Sequence, residues 1–198
     1  MLIRKEFRVE SAHIVRNCTS HRCSHSIHGH SAVIEVFLES NYLDNAQMVY
    51  DFGLMKGTVK QFIDSMDHCY LLCSKDKEEF KDFIKENCDR WIELPFNPSA
   101  EMLSMYILNN VQKIIDRTVK NNGEDITLKV ASVRYHETTT GWAQAFHEDL
   151  ANLYIPITEG QRVIYSPGVI KDWSNDLVNI MVNDMLVENP IVEQQIEL

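Results

Sequence analysis

At 198 residues, with 44% hydrophobic and 24% charged positions, the chain has the make-up of a folded domain whose core is large enough to need no disulfide scaffold. A net charge of −10 argues against nucleic acid as a partner, because phosphate contacts need a basic surface, so any polyanionic small ligand must be met by local cations. No apolar run approaches a membrane span, and five irregularly spaced cysteines behind a start that passes at once into charged residues predict reduced thiols in a cytoplasmic protein without a signal peptide.

Residues 3–14, IRKEFRVESAHI, alternate with the two-residue period of a strand and place Phe7, Val9, Ser11 and His13 on one face. RNCTSHRCSHS is polar and irregular and reads as a loop. Residues 30–39, HSAVIEVFLE, make a second strand, rich in β-branched and aromatic side chains. Over residues 53–66, Leu54, Val59, Phe62, Ile63 and Met66 recur at helical spacing, and Asp51 is placed to cap that helix near Gly53. The charged stretch 74–90 reads either as a second short helix or as a solvated excursion.

Ser99, after Pro98, is a good N-cap, and Glu101 falls in the first turn, where the helix dipole favours an anion. Apolar positions then run to Ile115, and Asn121-Asn122-Gly123 stops the helix. Residues 125–136 alternate again, and HETTTGWAQAF reads as strand, turn and returning strand. The order β-β-α-α-β-β predicts an α+β fold, an antiparallel sheet with helices on one face, over residues 1–154. In the remainder, 155–198, Ser166-Pro167-Gly168 marks a turn, and Trp173, Leu177, Ile180, Met181 and Met185 fit one amphipathic helix. This is an extension packed on the core or on a neighbouring subunit.

Five of the eight histidines lie between His13 and His30. His28 and His30 are two apart at the start of a strand and so share a face, with Gly29 between them allowing close approach to the backbone. His13 ends the preceding strand on a face available to both. If the strands pair, the imidazoles converge, and three neutral histidines suit Zn²⁺ with its fourth position open, the catalytic arrangement. Taken alone, the HGH pair could equally be two surface histidines. A rival closed site would use Cys18, His21, Cys23 and His25, whose spacing matches none of the usual zinc-ligand patterns.

FRVESAH, Cys23…HGH, VYDFGLMK, MDHCYL, NPSAEM and RYHETTTGWA follow one another in order. In this the chain resembles the 6-pyruvoyltetrahydropterin synthase / 6-carboxytetrahydropterin synthase family over about residues 2–153. The resemblance implies the tunnelling fold, in which trimers close their sheets into a barrel and two trimers stack as a homohexamer. It implies zinc on His13, His28 and His30 and a substrate such as 7,8-dihydroneopterin triphosphate. Cys23 is then the base, Asp67 and His68 the proton relay facing it, and Glu137 the anchor of the pterin ring, with Thr138 and Thr139 adding hydroxyl contacts. Four residues separate Cys23 from His28, a spacing that departs from both branches of the family and leaves Cys18 as the alternative thiol. A carboxylate suits the anchoring role because a ring N–H beside an exocyclic amine offers two parallel donors. His136 should face away from Glu137 by strand alternation.

The stretch before HGH favours the carboxy branch: conversion of dihydroneopterin triphosphate to 6-carboxytetrahydropterin with loss of acetaldehyde and triphosphate, on the route to queuosine. The pyruvoyl reaction uses the same residues and is the alternative. A non-catalytic zinc- or pterin-binding protein is the alternative of another class.

Overall fold

A computed structural model of the chain describes residues 1–152 and 162–192. Strand β1 (Leu2–His13) pairs antiparallel with β2 (His28–Glu39), in a register running from Leu2 opposite Glu39 to His13 opposite His28. The intervening segment is not all loop: His21–His25 form a short helix, α1. The apolar period over 53–66 is broken at Gly57, whose φ of −85° and ψ of −119° lie outside the helical region. A 3₁₀ turn, Leu54–Lys56, therefore precedes helix α2, Thr58–Asp64. The cap expected of Asp51 is not made: the N-cap positions are Gly53 and Gly57, neither capped by a side chain, and the Asp51 carboxylate instead accepts the Gly53 N–H at 2.6 Å in the turn before.

The expected antiparallel sheet is half of what forms. Strand β3 (Cys69–Cys73) pairs parallel with β1, and after helix α3 (Glu78–Asn87) strand β4 (Trp91–Leu94) pairs parallel with β3. Helix α4 (Ala100–Asp116) follows, capped by the Ser99 hydroxyl, which accepts from the Met102 N–H at 3.4 Å. It ends before Asn121 because Thr118–Val119 leave as strand β5. Then β6 (Lys129–His136) pairs with β2, β7 (Trp142–Phe146) pairs with β6, and α5 (Asp149–Asn152) closes the first described stretch.

The expectation of helices on one face is also corrected. β3 is buried along its whole length, which is what a strand covered on both faces shows. Cys69 and Leu71 join the main core, with residues of α2 and α4. Tyr70 and Leu72 pack on the opposite face, against Phe80 and Ile84 of α3. An apolar run without alternation carries no strand period, so β3 and β4 were not legible as sheet.

The second described stretch adds β8 (Ile164–Tyr165) antiparallel to β4, giving the sheet order β7-β6-β2-β1-β3-β4-β8. The single amphipathic helix expected here is two: α6 (Pro167–Ile170) and α7 (Asn175–Met181), each with a serine N-cap, Ser166 and Ser174. Strand β9 (Val187–Glu188) pairs with β5. Val169, Trp173, Leu177 and Ile180 belong to the main core. The boundary at residues 154/155 falls outside the described residues. Among the described residues of the single chain the sheet is open, ending at β7 and β8, and is not a closed barrel.

Candidate metal centre and its surroundings

The antiparallel register places His13 opposite His28 and Ser11 opposite His30, so all three imidazoles rise from the core-facing side of two adjacent strands. Ring centroids are 4.6 Å apart for His13 and His28, and 5.2 Å for each of the other two pairs. One ligand atom from each residue lies within 4.8 Å of the others. Gly29 allows a close approach, though to the protein itself: a Cβ there would sit 3.1 Å from the Ser11 carbonyl oxygen of the paired strand.

Backbone carbonyls orient the rings. The Ser26 carbonyl lies 3.0 Å from His28 Nδ1; since a carbonyl only accepts, Nδ1 donates there, and Nε2 is the atom left for a metal. His13 has a hydrogen bond to the backbone of Pro98. Burial first, then the neighbouring His28 and His30, push the His13 imidazole down to about 4, against that hydrogen bond. His13 is thus neutral at neutral pH, the state a metal requires. His13 Nε2 and His30 Nε2 are buried without any hydrogen-bond partner. Two unsatisfied buried nitrogens aimed at a common point fit a cation better than any protein group present.

Glu137 follows β6 and brings one carboxylate oxygen to 3.5 Å from His13 Nε2 and 3.6 Å from His30 Nε2. His136 points the other way, Nε2 lying 2.9 Å from Glu35, as strand alternation requires. Thr138 serves the β6–β7 turn: its hydroxyl accepts the Gly141 N–H at 3.0 Å. Thr138 and Thr139 line a separate cavity of about 260 Å³ with His136 and Glu35.

Asp67 and His68 stand at the corner between α2 and β3. Their side chains bond to each other, His68 Nδ1 to Asp67 Oδ2, at 2.9 Å. Asp67 Oδ1 accepts the Glu10 N–H at 2.7 Å. Burial alone would raise the Asp67 carboxyl, but the Glu10 N–H, then His68 and Arg90, outweigh it and hold the group below its usual range. His68 opens onto a cavity of about 640 Å³ that also takes in Glu10, Gly29, His30 and Ser31. Cys23 lies on α1, its carbonyl accepting the Val15 N–H at 3.0 Å, and lines no part of that cavity. The chain therefore gathers His13, His28, His30 and Glu137 at one point and pairs Asp67 with His68, while Cys23 is joined to that pair by no hydrogen bond.

In the rival set, His21 and His25 stack on each other at 4.2 Å, and Cys18 Sγ lies 3.3 Å from the Ser20 carbonyl. Among the described residues, the place where three such ligand atoms meet is the His13–His28–His30 cluster. Sequence reading missed the Ser26 and Pro98 carbonyls and Arg90, because backbone acceptors and long-range contacts leave no local pattern. Only Pro98 had a signal, its place in NPSAEM.

A profile of the 6-pyruvoyl tetrahydropterin synthase family matches residues 2–148. A 6-carboxy-5,6,7,8-tetrahydropterin synthase from Helicobacter pylori is 40% identical over 186 residues, spanning 93% of this chain and 92% of its own. One of the same name from Aquifex aeolicus is 30% identical over 158 residues, 72% of this chain and 95% of its own. Among solved structures, an uncharacterised protein from Wolinella succinogenes matches with a TM-score of 0.61 at 21% identity, covering 74% of this chain and 98% of that one. The Caenorhabditis elegans 6-pyruvoyl tetrahydropterin synthase matches with a TM-score of 0.52 at 20% identity, covering 74% and 94%. These two likenesses show the fold.

Proposed function

This chain belongs to the 6-pyruvoyl tetrahydropterin synthase family, and on that premise we propose that it is a zinc-dependent 6-carboxy-5,6,7,8-tetrahydropterin synthase. Its substrate is 7,8-dihydroneopterin triphosphate, and its products are 6-carboxytetrahydropterin, acetaldehyde and triphosphate, in a step toward queuosine. The observation that carries this reading is the pair of buried, unpartnered Nε2 atoms on His13 and His30 beside His28. The name carried by the Helicobacter pylori and Aquifex aeolicus relatives supports the carboxy branch over the pyruvoyl one.

His13, His28 and His30 hold the metal. Zinc bound there supplies a Lewis acid for the hydroxyls of the substrate side chain and acidifies the neighbouring C–H. Cys23 takes up that proton as a thiolate. Asp67 fixes the tautomer of His68 and stabilises its protonated form, so the pair can pass the proton on. Glu137 accepts two parallel N–H donors of the pterin ring from its place beside the histidines. Thr138 shapes the turn that presents Glu137.

Exposed Trp142 and Phe146 on the open edge strand β7 support assembly with further copies, as a hexamer built of two trimers. In such an assembly Cys23 meets the Asp67–His68 pair across a subunit boundary. Incubating the zinc-loaded protein with 7,8-dihydroneopterin triphosphate tests the reading: acetaldehyde is expected. A pyruvoyl product without acetaldehyde rejects it.

A further inference from the structure

Arg90 joins the candidate proton relay to a part of the chain beyond residue 148, where the family match ends. It stands just before β4, and its guanidinium divides its donors between two stretches of backbone. Nε–H donates to the Asp67 carbonyl at 2.9 Å, and Nη2 donates to the carbonyls of Asp64 at 2.8 Å and Ser65 at 3.4 Å. These oxygens lie at the C-terminal end of α2, where the last turn lacks partners within the helix. Nη1 donates to the Gly168 carbonyl at 3.0 Å and to the Asp172 carboxylate at 2.5 Å.

The corner that Arg90 grips is constrained. His68 takes a φ of 50°, the left-handed region uncommon for a residue with a side chain. From the β1 side, the His68 N–H donates to the Glu10 carbonyl at 2.6 Å and the Glu10 N–H donates to Asp67 at 2.7 Å. Arg90 holds it from the other side. Two more ties run from the C-terminal segment into α2 and its end: the Trp173 indole N–H donates to the Ser65 hydroxyl at 2.7 Å, and the Ser174 N–H donates to the Gln61 side chain at 2.9 Å. Asp67, His68, Arg90, Val169, Asp172 and Trp173 line one cavity of about 470 Å³. Gly168 is a tight point of the clamp, since a Cβ there would run into the Asp89 carbonyl oxygen.

We propose that Arg90, clamped by residues 166–174, is the positioning residue for the Asp67–His68 pair, which makes the C-terminal segment part of the catalytic apparatus. The inference rests on the reading of that pair as the proton relay.

The test compares zinc-loaded wild type with Arg90→Ala, Arg90→Lys, Gly168→Ala and Trp173→Phe. One readout is steady-state kinetics with 7,8-dihydroneopterin triphosphate. The other is the NMR shift of the non-exchangeable His68 Cε1–H, assigned against His68→Gln. In Arg90→Ala and Gly168→Ala, kcat falls about tenfold or more while KM and bound metal stay within about twofold, and the His68 Cε1–H shift moves from its wild-type position. Arg90→Lys keeps the charge without the fork and recovers little. Added methylguanidine restores part of the turnover of Arg90→Ala, as it would not for a misfolded protein. Trp173→Phe keeps the ring in the core and loses one hydrogen bond, so it remains readable, with a smaller effect of the same sense, if the others fold poorly. Unchanged kcat with an unchanged His68 signal in Gly168→Ala and Trp173→Phe overturns the proposal. A wild type that turns over no pterin substrate rejects the functional reading instead, and the His68 signal then decides the positioning role alone.

Discussion

Two buried polar sites in this molecule have opposite character. Around Glu93 on β4, Lys81 and Lys85 reach the carboxylate at 3.2 Å and 2.7 Å, and Glu78 takes a further bond from Lys81. Burial alone would raise the Glu93 carboxyl, but Lys85 and Lys81 outweigh it and hold it below its usual range. At the C-terminal end of β1, His13 is as buried and keeps Nε2 without a hydrogen-bond partner. A buried polar group whose bonds all close within the chain stabilises one arrangement of the fold. One that stays open costs stability and marks a seat for something the chain does not itself supply.

Substitutions at the two sites should therefore diverge. His13→Leu should abolish stoichiometric zinc binding and lower turnover by at least about a hundredfold, as metal analysis and the acetaldehyde assay will read. The same variant, measured metal-free, should melt within a few degrees of wild type, because removing the unsatisfied Nε2, worth about 1 kcal/mol or more, offsets the loss of the bond to the Pro98 carbonyl. A metal-free His13→Leu that unfolds several degrees earlier would erase the contrast. Cys23→Ala should lower kcat by about 10²–10⁴-fold and leave bound zinc at the wild-type level, separating the base from the cradle.

Glu93→Ala should behave in the reverse way. It removes two charge-assisted bonds, each worth about 1.5–3 kcal/mol, while Lys81 keeps Glu78, and should lower stability in denaturant unfolding with zinc stoichiometry intact in the folded fraction. The smallest effect is a pH signature. His13 is neutral when folded down to about 4, whereas the unfolded chain takes up a proton below 6.5. Metal-free stability should then be fully present above that value and fall by up to roughly 3 kcal/mol as pH drops toward about 4, through the unfolded chain's extra proton. Chemical denaturation of metal-free protein across this window checks it, and His13→Leu should flatten the curve.

What could be read from residues alone follows from periodicity and spacing. β1, β2 and the β6–β7 hairpin alternate, because one face is buried and the other wet, and α4 carries both a period and a serine cap. Strand alternation also put His28 and His30 on one face with His13 within reach, and the ordered motifs brought in Glu137 and the Asp67–His68 pair. β3 lacks alternation because it is covered twice, α1 hides in a polar segment, and Gly57 splits a helix whose apolar spacing looks continuous.

Local chemistry thus determined which side chains are fit to hold a metal, move a proton or receive a pterin, since those properties belong to residue type and to spacing along one strand. The tertiary structure decided which of them meet: the β1–β2 register that closes the histidine cluster, the carbonyls of Ser26 and Pro98 that aim it, and the Arg90 clamp that ties the C-terminal segment to the α2–β3 corner. Contacts between residues far apart in the chain depend on how strands pair and elements pack, and no sequence period encodes that pairing.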